Sequence, residues 1–385
     1  MNRLVSLLAF ALLYVFSAAA LGQDRNAVLS PADRGDGWEV ANPPAHARKQ
    51  LAKLAEDLEN DVLPNLHAVI VEHDGKLIYE QYLTAPDEQW GRPLGEVTYT
   101  ADMEHDLRSI SKSVTSLLVG IAVGGRYEEA LRRPVLDYFP DWAGDVDPKM
   151  KQVTLRHALT MTAGLEWNEM DVPYARSHND EIQIYYNANP FAHVLSRPMR
   201  EAPGERWYYN GGLTMLLAGA VARMSGEPFA RFAERVLFKP LGIGKVPWMG
   251  PTRWPQGMPS AASGLRLTAR DLARIGSLML HEGRWRGEQI VPSEWIRLSG
   301  QRLREDLGDW GGKGVYGYGF QWWHGRFPSA KGDIVSITGV GHGGQRLFVI
   351  PEDRLAVTIF AGNYRSRDWM ISERAMKRIV EAMRP

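Results

Sequence analysis

Hydrophobic residues along this chain follow two periods, which predict strands near both ends and helices between them. From about Ala45 to Val62 the apolar positions lie three or four residues apart, as on one face of a helix, at Leu51, Leu54, Leu58 and Val62. The following segment, HAVIVEHDGKLIYEQYL, places Asp74 and Gly75 between two β-rich runs. Because Asp-Gly favours the tight turn that joins two antiparallel strands, this segment predicts a β-hairpin.

From Asp106 to about Gly300 most segments have a helical period. In TARDLARIGSLMLHEG, Thr268 and Asp271 have the spacing of an N-capping box, and Gly283 marks the stop. After Gly300 the segments YGYGFQWW, DIVSIT, QRLFVI and LAVTIFAG indicate strands, and DWMISERAMKRIVEAM indicates a closing helix. These elements predict an α+β fold (an α/β sandwich). Its antiparallel sheet is built from both chain ends and flanked by N- and C-terminal helices, with a large, mainly helical subdomain inserted.

The beginning of the chain has the pattern of a cleaved secretory signal peptide, with Arg3, an apolar run over 4–16, and small residues at Ala18 and Ala20. The alternative, a membrane anchor, needs about 20 apolar residues, and this run is shorter. We therefore expect a periplasmic or secreted protein without stable membrane insertion after cleavage. No linker or repeat divides the remaining sequence. The predicted segments are a signal peptide (1–22), an extended arm (23–44) and one domain (45–385), with its sheet from 45–105 and 315–385 and its helical subdomain from 106–314.

Composition narrows the range of partners. The 45 basic and 45 acidic residues cancel, which leaves no excess charge for binding nucleic acid. The absence of cysteine excludes disulfides and a thiolate nucleophile. The partner we expect is therefore a small molecule or a short peptide.

The segment LRSISKSVTSLLVGIAV (107–123) has a helical pattern in which the polar residues share one face and the apolar residues share the other. The polar positions are Ser109, Lys112, Ser113 and Ser116. Such a face usually contacts solvent, but solvent faces normally carry long charged side chains of both signs, and this one has a single lysine and no acid. The alternative interpretation is a face that binds something.

Two of these residues, Ser109 and Lys112, lie three positions apart and are therefore neighbours on a helix. The positive end of the helix dipole and partial burial both disfavour an ammonium group, so we expect a lowered pKa for Lys112. A neutral lysine would activate the serine as an acyl-transfer nucleophile, without histidine, metal or organic cofactor. The S-x-x-K pattern is frequent by chance, so this hypothesis needs further residues.

Two other stretches supply candidates. In PGERWYYNGGLTMLLAG, Tyr208 and Asn210 form a Y-x-N triplet that can relay a proton and bind a lysine or a substrate carbonyl; the alternative is an aromatic core cluster with a capping asparagine. In ITGVGHGGQRLFVIPE, a glycine-rich strand edge allows a backbone N–H to face a developing oxyanion. Residues 339–344 also match the dinucleotide pattern G-x-G-x-x-G, which we reject because a strand rather than a helix is predicted to follow.

Together these motifs resemble the serine β-lactamase and penicillin-binding protein superfamily, in particular its class C-like branch of esterases, DD-peptidases and aminohexanoate-oligomer hydrolases. The resemblance covers roughly residues 45–380 and rests on RSISKSVTS, PGERWYYN, TLRHALTMTAGL, SGLRLTARDLARIG and GHGGQRLFVIPE. It implies an acyl-enzyme on Ser109, proton transfer by Lys112 and Tyr208, and contact of Asn210 with the lysine or the substrate.

The resemblance also implies an oxyanion hole formed by the backbone N–H groups of Ser109 and of a residue in the stretch around Gly341, for which His342 gives the best alignment. The K-T-G motif of the family is absent there, and GVGH or TGVG takes its place. The cation that would meet a β-lactam carboxylate is therefore missing, and His342 is either a partial substitute or a structural residue. This departure favours an esterase or amidase over a β-lactamase or DD-peptidase.

Some other interpretations stay open, and others are excluded because the motifs that they require are missing. Four tryptophans either line an apolar acyl pocket or fill the core: Trp167, Trp207, Trp322 and Trp323. A zinc hydrolase would need a second histidine after HEG at His281, and an α/β-hydrolase would need G-x-S-x-G; neither pattern is present. A noncatalytic secreted binding or sensor module of the same fold is the remaining alternative, which a serine-directed fluorophosphonate would separate from an enzyme.

Overall fold

The computed structural model describes residues 30–142, 146–305, 307, 314–366, 368 and 370–385, so the predicted signal peptide lies outside the described residues. The strands are β1 (Glu39–Val40), β2 (Leu66–His73), β3 (Lys76–Tyr82), β4 (Thr84–Gln89), β5 (Arg92–Thr98), β6 (Glu104–Asp106), β7 (Arg266–Thr268), β8 (Arg284–Trp285), β9 (Glu288–Gln289), β10 (Val315–Gly319), β11 (Trp322–Phe327), β12 (Ile334–Gly341), β13 (Gln345–Ile350) and β14 (Leu355–Ala361). The helices are α1 (Ala45–Glu59), α2 (Ile110–Val123), α3 (Tyr127–Arg132), α4 (Leu155–Leu159), α5 (Asp180–Tyr186), α6 (Pro190–Leu195), α7 (Gly211–Ser225), α8 (Phe229–Ala233), α9 (Ala269–Leu280), α10 (Ser293–Ser299) and α11 (Ile371–Met383).

Eight strands form the main sheet, in the order β1-β3-β2-β14-β13-β12-β11-β10. Neighbouring strands pair antiparallel, except that the short β1 of the N-terminal arm runs parallel to β3. The two ends of the chain meet where β2 pairs with β14, with Val71 opposite Val357. This arrangement confirms the predicted α+β fold with one sheet built from both chain ends.

The predicted hairpin joins β2 to β3, with His73 opposite Lys76. Its two turn residues, Asp74 and Gly75, have φ angles of 52° and 81°. Turns with two left-handed residues match the twist of antiparallel strands, and Asp-Gly tolerates that conformation best. The predicted hairpin is therefore confirmed, and the Asp-Gly turn predicted it because a turn of this kind fixes the register of the two strands.

Helices cover both faces of the sheet. The side chain of Arg346 in β13 pairs with Glu373 of α11, whereas the next residue, Leu347, lies against Gly276 of α9. Because successive side chains of a strand point to opposite faces, α11 and α9 pack on opposite sides. The terminal helices α1 and α11 contact each other on the first side.

Helix α2 lies inside the molecule, since every residue from Ile110 to Gly120 is buried. Its polar side chains do not form a solvent face. Instead Ser113 Oγ donates a hydrogen bond to the Gln321 carbonyl at 2.8 Å, and Thr115 Oγ1 donates to the Ala261 carbonyl at 3.1 Å. The hydroxyl groups therefore join α2 to neighbouring segments of the chain.

Three small sheets in the described residues were not predicted, namely β4 with β5, β6 with β7, and β8 with β9. The sheet of β6 and β7 matters for the site, because β6 ends three residues before Ser109 and β7 lies directly before α9. In the part of the chain that the structure describes, no helix combines the length and apolarity needed to cross a bilayer.

Candidate active site

Ser109 lies at the turn that begins α2. Arg108 before it is in the left-handed region (φ 50°), and Ser109 itself is the N-cap residue of the helix. The turn is held by the Leu107 N–H, which donates to the Leu265 carbonyl at 3.0 Å. Ser109 is half-buried and lines a cleft of about 370 Å³.

Lys112 extends from the next turn of α2 and is 1% exposed. Its Nζ donates to Ser109 Oγ at 3.1 Å and to the Ala262 carbonyl at 3.2 Å. It also contacts two carboxylates, at 3.3 Å from Glu181 Oε2 and 3.6 Å from Glu169 Oε1. The structure thus brings Ser109 and Lys112 together as their spacing predicts, and it adds two acids that the sequence did not indicate.

The predicted charge state of Lys112 is wrong. Burial alone would lower its pKa, but the negative charge of Glu181, with smaller contributions from Tyr209 and Glu169, outweighs burial and raises that pKa above the ordinary value of a lysine. The sequence argument counted burial and the helix dipole, and it lacked the buried carboxylates. In the resting protein Lys112 is therefore an ammonium group and not a base.

Glu169 is held by three donors and is 1% exposed. Its Oε2 accepts hydrogen bonds from Trp167 Nε1 at 3.0 Å and from the Gly211 N–H at 2.6 Å, and its Oε1 accepts one from the Tyr174 hydroxyl at 3.0 Å. Such a set of directed donors fixes the carboxylate beside Lys112.

Glu181 lies in the first turn of α5, whose N-terminus is capped by the side chain of Asn179. Its Oε1 accepts a hydrogen bond from Ser263 Oγ at 2.6 Å. A Cβ at Gly211 would lie 2.9 Å from Glu181 Oε2 and 3.2 Å from Glu169 Oε2. Only glycine at this position leaves room for the two carboxylates to sit side by side.

The two acids are electrostatically different. Burial, followed by the negative charge of Glu181, raises the pKa of Glu169 above the ordinary carboxyl range. Glu181 is also buried, but Lys112 and the hydrogen bonds from Glu169 and Ser263 lower its pKa. One proton is therefore shared between two carboxyl groups, and one negative charge faces the ammonium of Lys112.

The tyrosine beside Lys112 is Tyr209 and not the predicted Tyr208. Lys112 Nζ lies 4.8 Å from the centroid of the Tyr209 ring, and the Tyr209 hydroxyl is within hydrogen-bonding reach of Ser109. Burial raises the pKa of Tyr209 to about 12, against the opposing effect of Lys112. Tyr208 is half-buried, and its ring stacks with the guanidinium of Arg206 at 4.4 Å. Because neighbouring side chains of an extended segment point in opposite directions, a shift of one residue exchanges the two tyrosines.

Asn210 caps a helix and does not contact Lys112. Its Oδ1 accepts a hydrogen bond from the Leu213 N–H at 3.1 Å, in the first turn of α7. The predicted contact with the lysine is therefore wrong, and the alternative of a capping asparagine is right. A polar residue directly before a helical run is the ordinary sequence signal for such a cap.

Strand β12 approaches the turn of Ser109 very closely at its end. A Cβ at Gly341 would lie 2.3 Å from the Leu107 carbonyl oxygen, so a side chain there would push the strand away. Across the described residues, the backbone N–H groups of Ser109 and His342 donate no hydrogen bond. These two free N–H groups lie at adjoining turns, as the predicted oxyanion hole requires. Their assignment to an oxyanion hole stays a prediction.

The imidazole of His342 lines the cleft between two aromatic rings, 5.4 Å from Tyr174 and 5.6 Å from Tyr364. His342 is exposed at the edge of the cleft, and the groups packed around its ring, followed by the charge of Arg108, lower the pKa of its imidazole. A neutral imidazole does not replace the missing cation of K-T-G. Arg108 and Arg365 line the same cleft and supply cations instead, and each forms an ion pair with Glu88.

Three of the four tryptophans that the sequence singled out are buried in the core, and the partly buried Trp207 packs against it. Trp207 and Trp323 pack against Tyr209 and Tyr318 in one aromatic cluster. The indole N–H of Trp167 donates a hydrogen bond to Glu169, and Trp322 is fully buried. The aromatic residues that line the cleft are others, namely Trp90, Tyr174, Tyr185 and Tyr364.

Comparisons with known proteins agree with this geometry. A family model described as Beta-lactamase matches residues 64–375. The chain is similar to a 6-aminohexanoate-dimer hydrolase of Paenarthrobacter ureafaciens, with 28% identity over an alignment of 273 residues that covers 66% of this chain. The matched part spans 64% of that relative, slightly less than two thirds of its length.

Two solved structures share the fold. EstCE1, a hydrolase with promiscuous acyltransferase activity, has a TM-score of 0.61 and 16% identity, over 88% of this chain and 99% of the other. An octameric penicillin-binding protein homologue from Pyrococcus abyssi has a TM-score of 0.58 and 19% identity, over 85% of this chain and 76% of the other. At these identities the likeness establishes the fold and not the substrate.

The raised pKa of Glu169 predicts a pH-dependent stability. A group whose pKa is raised on folding contributes stability that is complete below its unfolded value, 4.5, and is lost as pH rises through its folded value. The substitution Glu169→Gln keeps this side chain neutral at every pH. The free energy of unfolding of the variant should therefore fall less than that of the wild type between about pH 5 and about pH 8.

Urea unfolding at several pH values measures this difference. The exposed Glu96→Gln, which removes a carboxylate that forms no ion pair with Lys112, is the matched control and should follow the wild type. Parallel curves for Glu169→Gln and the wild type would show that no proton is held at Glu169.

Proposed function

The chain belongs to the beta-lactamase family, and we propose that it is a serine hydrolase that cleaves an ester or amide bond through an acyl-enzyme on Ser109. The observation that carries the proposal is the hydrogen bond of 3.1 Å between the half-buried Ser109 hydroxyl and the buried Lys112 ammonium, with a carboxylate pair behind it. The names of the relatives, a dimer hydrolase and a hydrolase with acyltransferase activity, support an acyl-transfer reaction.

The first step forms a bond between Ser109 Oγ and the carbonyl carbon of the substrate. The electron pair of the carbonyl double bond moves to its oxygen, which becomes an oxyanion. The backbone N–H groups of Ser109 and His342 are the donors available to stabilise that charge. Preorganised donors of this kind typically contribute about 10²–10³ each to the rate.

The serine proton must be removed although Lys112 is protonated at rest. We assign this step to a relay in which Lys112 passes one of its protons to the carboxylate pair, 3.3 Å from Glu181, and accepts the proton of Ser109 at 3.1 Å. Lys112 thus ends the step as an ammonium again, and the acid pair holds one more proton. The cluster of Lys112 and the acid pair thereby gains the positive charge of the serine proton, and the oxyanion formed from the substrate carbonyl carries the balancing negative charge.

Tyr209 is placed to protonate the leaving group. Its pKa of about 12 keeps it a phenol, so it can donate to the leaving oxygen or nitrogen next to Ser109. The oxyanion collapses to a carbonyl as the bond to the leaving group breaks, and Tyr209 is left as a phenolate. The acid pair then returns its extra proton through Lys112 to the Tyr209 phenolate. Water deacylates Ser109 by the same relay in reverse order, which restores the resting state.

The dimensions of the cleft favour a small acyl group. Its volume of about 370 Å³ is near the lower limit of ligand pockets, and aromatic rings form much of its wall. A second candidate, hydrolysis of penicillins or peptidoglycan peptides, is favoured by one observation: Arg108 and Arg365 at the cleft can meet a substrate carboxylate. Their ion pairs with Glu88 would have to open first.

Ser109→Ala should abolish hydrolysis of p-nitrophenyl esters, because among the described residues Ser109 is the hydroxyl to which Lys112 hydrogen-bonds, and should leave the fold intact. Mass spectrometry after incubation with esters, short amides and penicillins should find an acyl adduct on Ser109 of the wild type only. Turnover by Ser109→Ala at the wild-type rate would refute the assignment. A stable penicillin adduct without ester turnover would favour the second candidate.

The two adjacent tyrosines provide a matched pair of variants. Tyr209→Phe should slow acylation by about 10²–10⁴, the usual effect of losing a general acid, whereas Tyr208→Phe should retain the wild-type rate. Stopped-flow measurement of p-nitrophenol release compares them directly. The reverse result would restore the Y-x-N alignment and remove Tyr209 from the mechanism.

A further inference from the structure

Two histidines and an aspartate meet at a second buried place, where β2, β4 and β6 come together. They are His67 on β2, Asp87 on β4 and His105 on β6. His67 and His105 are 0% and 1% exposed, and the side chain of Asp87 is 5% exposed. The proposed reaction at Ser109 uses none of the three residues.

The outer nitrogen of each imidazole faces a backbone carbonyl oxygen. His67 Nε2 lies 3.1 Å from the Pro86 carbonyl, and His105 Nδ1 lies 3.1 Å from the Asp106 carbonyl. A carbonyl only accepts hydrogen bonds, so each of these nitrogens carries the proton of its ring. The remaining nitrogens, His67 Nδ1 and His105 Nε2, therefore carry lone pairs, and they lie only 2.9 Å apart.

Asp87 adds negative charge to the same point. Its Oδ1 lies 3.9 Å from His67 Nδ1, and its Oδ2 lies 3.7 Å from His105 Nε2. Tyr99 donates a hydrogen bond to Oδ2, whereas Oδ1 is buried and has no hydrogen-bond partner in the part of the chain that the structure describes. Three electron-pair donors thus converge in the protein interior, and an unpaired buried carboxylate oxygen is costly.

We propose that His67, Asp87 and His105 bind a divalent transition-metal ion, with zinc as the chemical type. Ligands about 2.0–2.2 Å from one tetrahedral ion are separated from each other by about 3.4 Å. The two nitrogens lie 2.9 Å apart, closer than that value, and Asp87 approaches each of them with a different oxygen, at 3.9 Å for Oδ1 and 3.7 Å for Oδ2, slightly beyond it. The ligand atoms of all three residues lie within 4.8 Å of one another.

The surroundings match those of a metal site. Metal-binding histidines commonly donate their other N–H to a backbone carbonyl, which fixes the tautomer and the ring plane, and both histidines do so here. Aromatic rings enclose the cluster, with Tyr99 stacked on His67 at 4.6 Å and Phe360 stacked on His105 at 4.9 Å. Imidazole and carboxylate ligands together suit zinc and its neighbours in the transition series.

The ion would have a structural role. It would join three strands that are distant in sequence, and β6 continues within three residues to the nucleophile turn at Ser109. Glu88, next to Asp87, lines the cleft and pairs with Arg108. The ion would therefore hold one wall of the cleft against the sheet, without contact with the substrate.

A single proton shared by the two histidines is the competing explanation for their close approach. It also removes the conflict between the lone pairs, because one ring becomes an imidazolium beside Asp87. The two explanations differ in a measurable way, since only the first requires one metal ion per chain.

The test uses the full mature chain without a histidine tag, stripped with a chelator and titrated with zinc by calorimetry. We expect one zinc ion per chain and a higher Tm, because an ion that binds only the folded state stabilises it. Cobalt in place of zinc should give the visible absorption of a tetrahedral site. Diffraction at the zinc absorption edge should place the ion between His67, Asp87 and His105.

Variants separate this site from surface binding. Asp87→Asn keeps the shape of the side chain and should weaken zinc binding at least about tenfold, and His105→Gln should abolish it. His281→Gln, which alters the pair that His281 forms with the buried Glu72, is the matched control and should bind zinc like the wild type. If the wild type binds no zinc, or if an anomalous signal appears elsewhere, the proposal is overturned, whether or not the variants fold.

Discussion

A buried ammonium group is the feature on which the rest of the site depends. Removing Lys112 from water costs several kcal/mol, and the cost is offset only if acceptors surround it with good geometry. Glu181, Glu169 and the Ala262 carbonyl supply those acceptors. They come from separate parts of the chain, so the requirement of one cation fixes the relative positions of α2, α5 and the loop before β7.

The acids that stabilise Lys112 also determine what it can do. A lysine with a raised pKa cannot accept the serine proton unless it gives one away, and the nearby acid pair is the group that can receive it. The chain of hydrogen bonds continues from Glu181 to Ser263 and then to Tyr185 at the cleft. Ser109 is thereby connected through buried groups to the wall of its own cleft, and stability and proton transfer rest on the same contacts.

The sequence predicted the parts of this arrangement that depend on local geometry. Helical spacing placed Lys112 beside Ser109, and the Asp-Gly turn fixed the hairpin of β2 and β3. It could not show Glu169 and Glu181, because they belong to no local pattern and approach Lys112 only in the folded chain. Without these two carboxylates the sequence predicted a neutral lysine instead of an ammonium group. The choice between Tyr208 and Tyr209 needed the direction of each side chain in an extended segment. The cluster of His67, Asp87 and His105 could not be predicted either, because these residues lie on different strands and meet only in the folded chain.

The charge of Lys112 can be observed directly by NMR of a protein labelled with ¹⁵N at its lysine side chains, with the signal assigned by comparison with Lys112→Met. Between about pH 6 and about pH 10 an ordinary lysine begins to lose its proton. The account predicts that the Lys112 signal keeps the chemical shift of an ammonium over this whole range, because Glu181 and Glu169 stabilise the charge. A signal that moves to the shift of a neutral amine below about pH 8 would contradict it and restore a simple Ser-Lys mechanism.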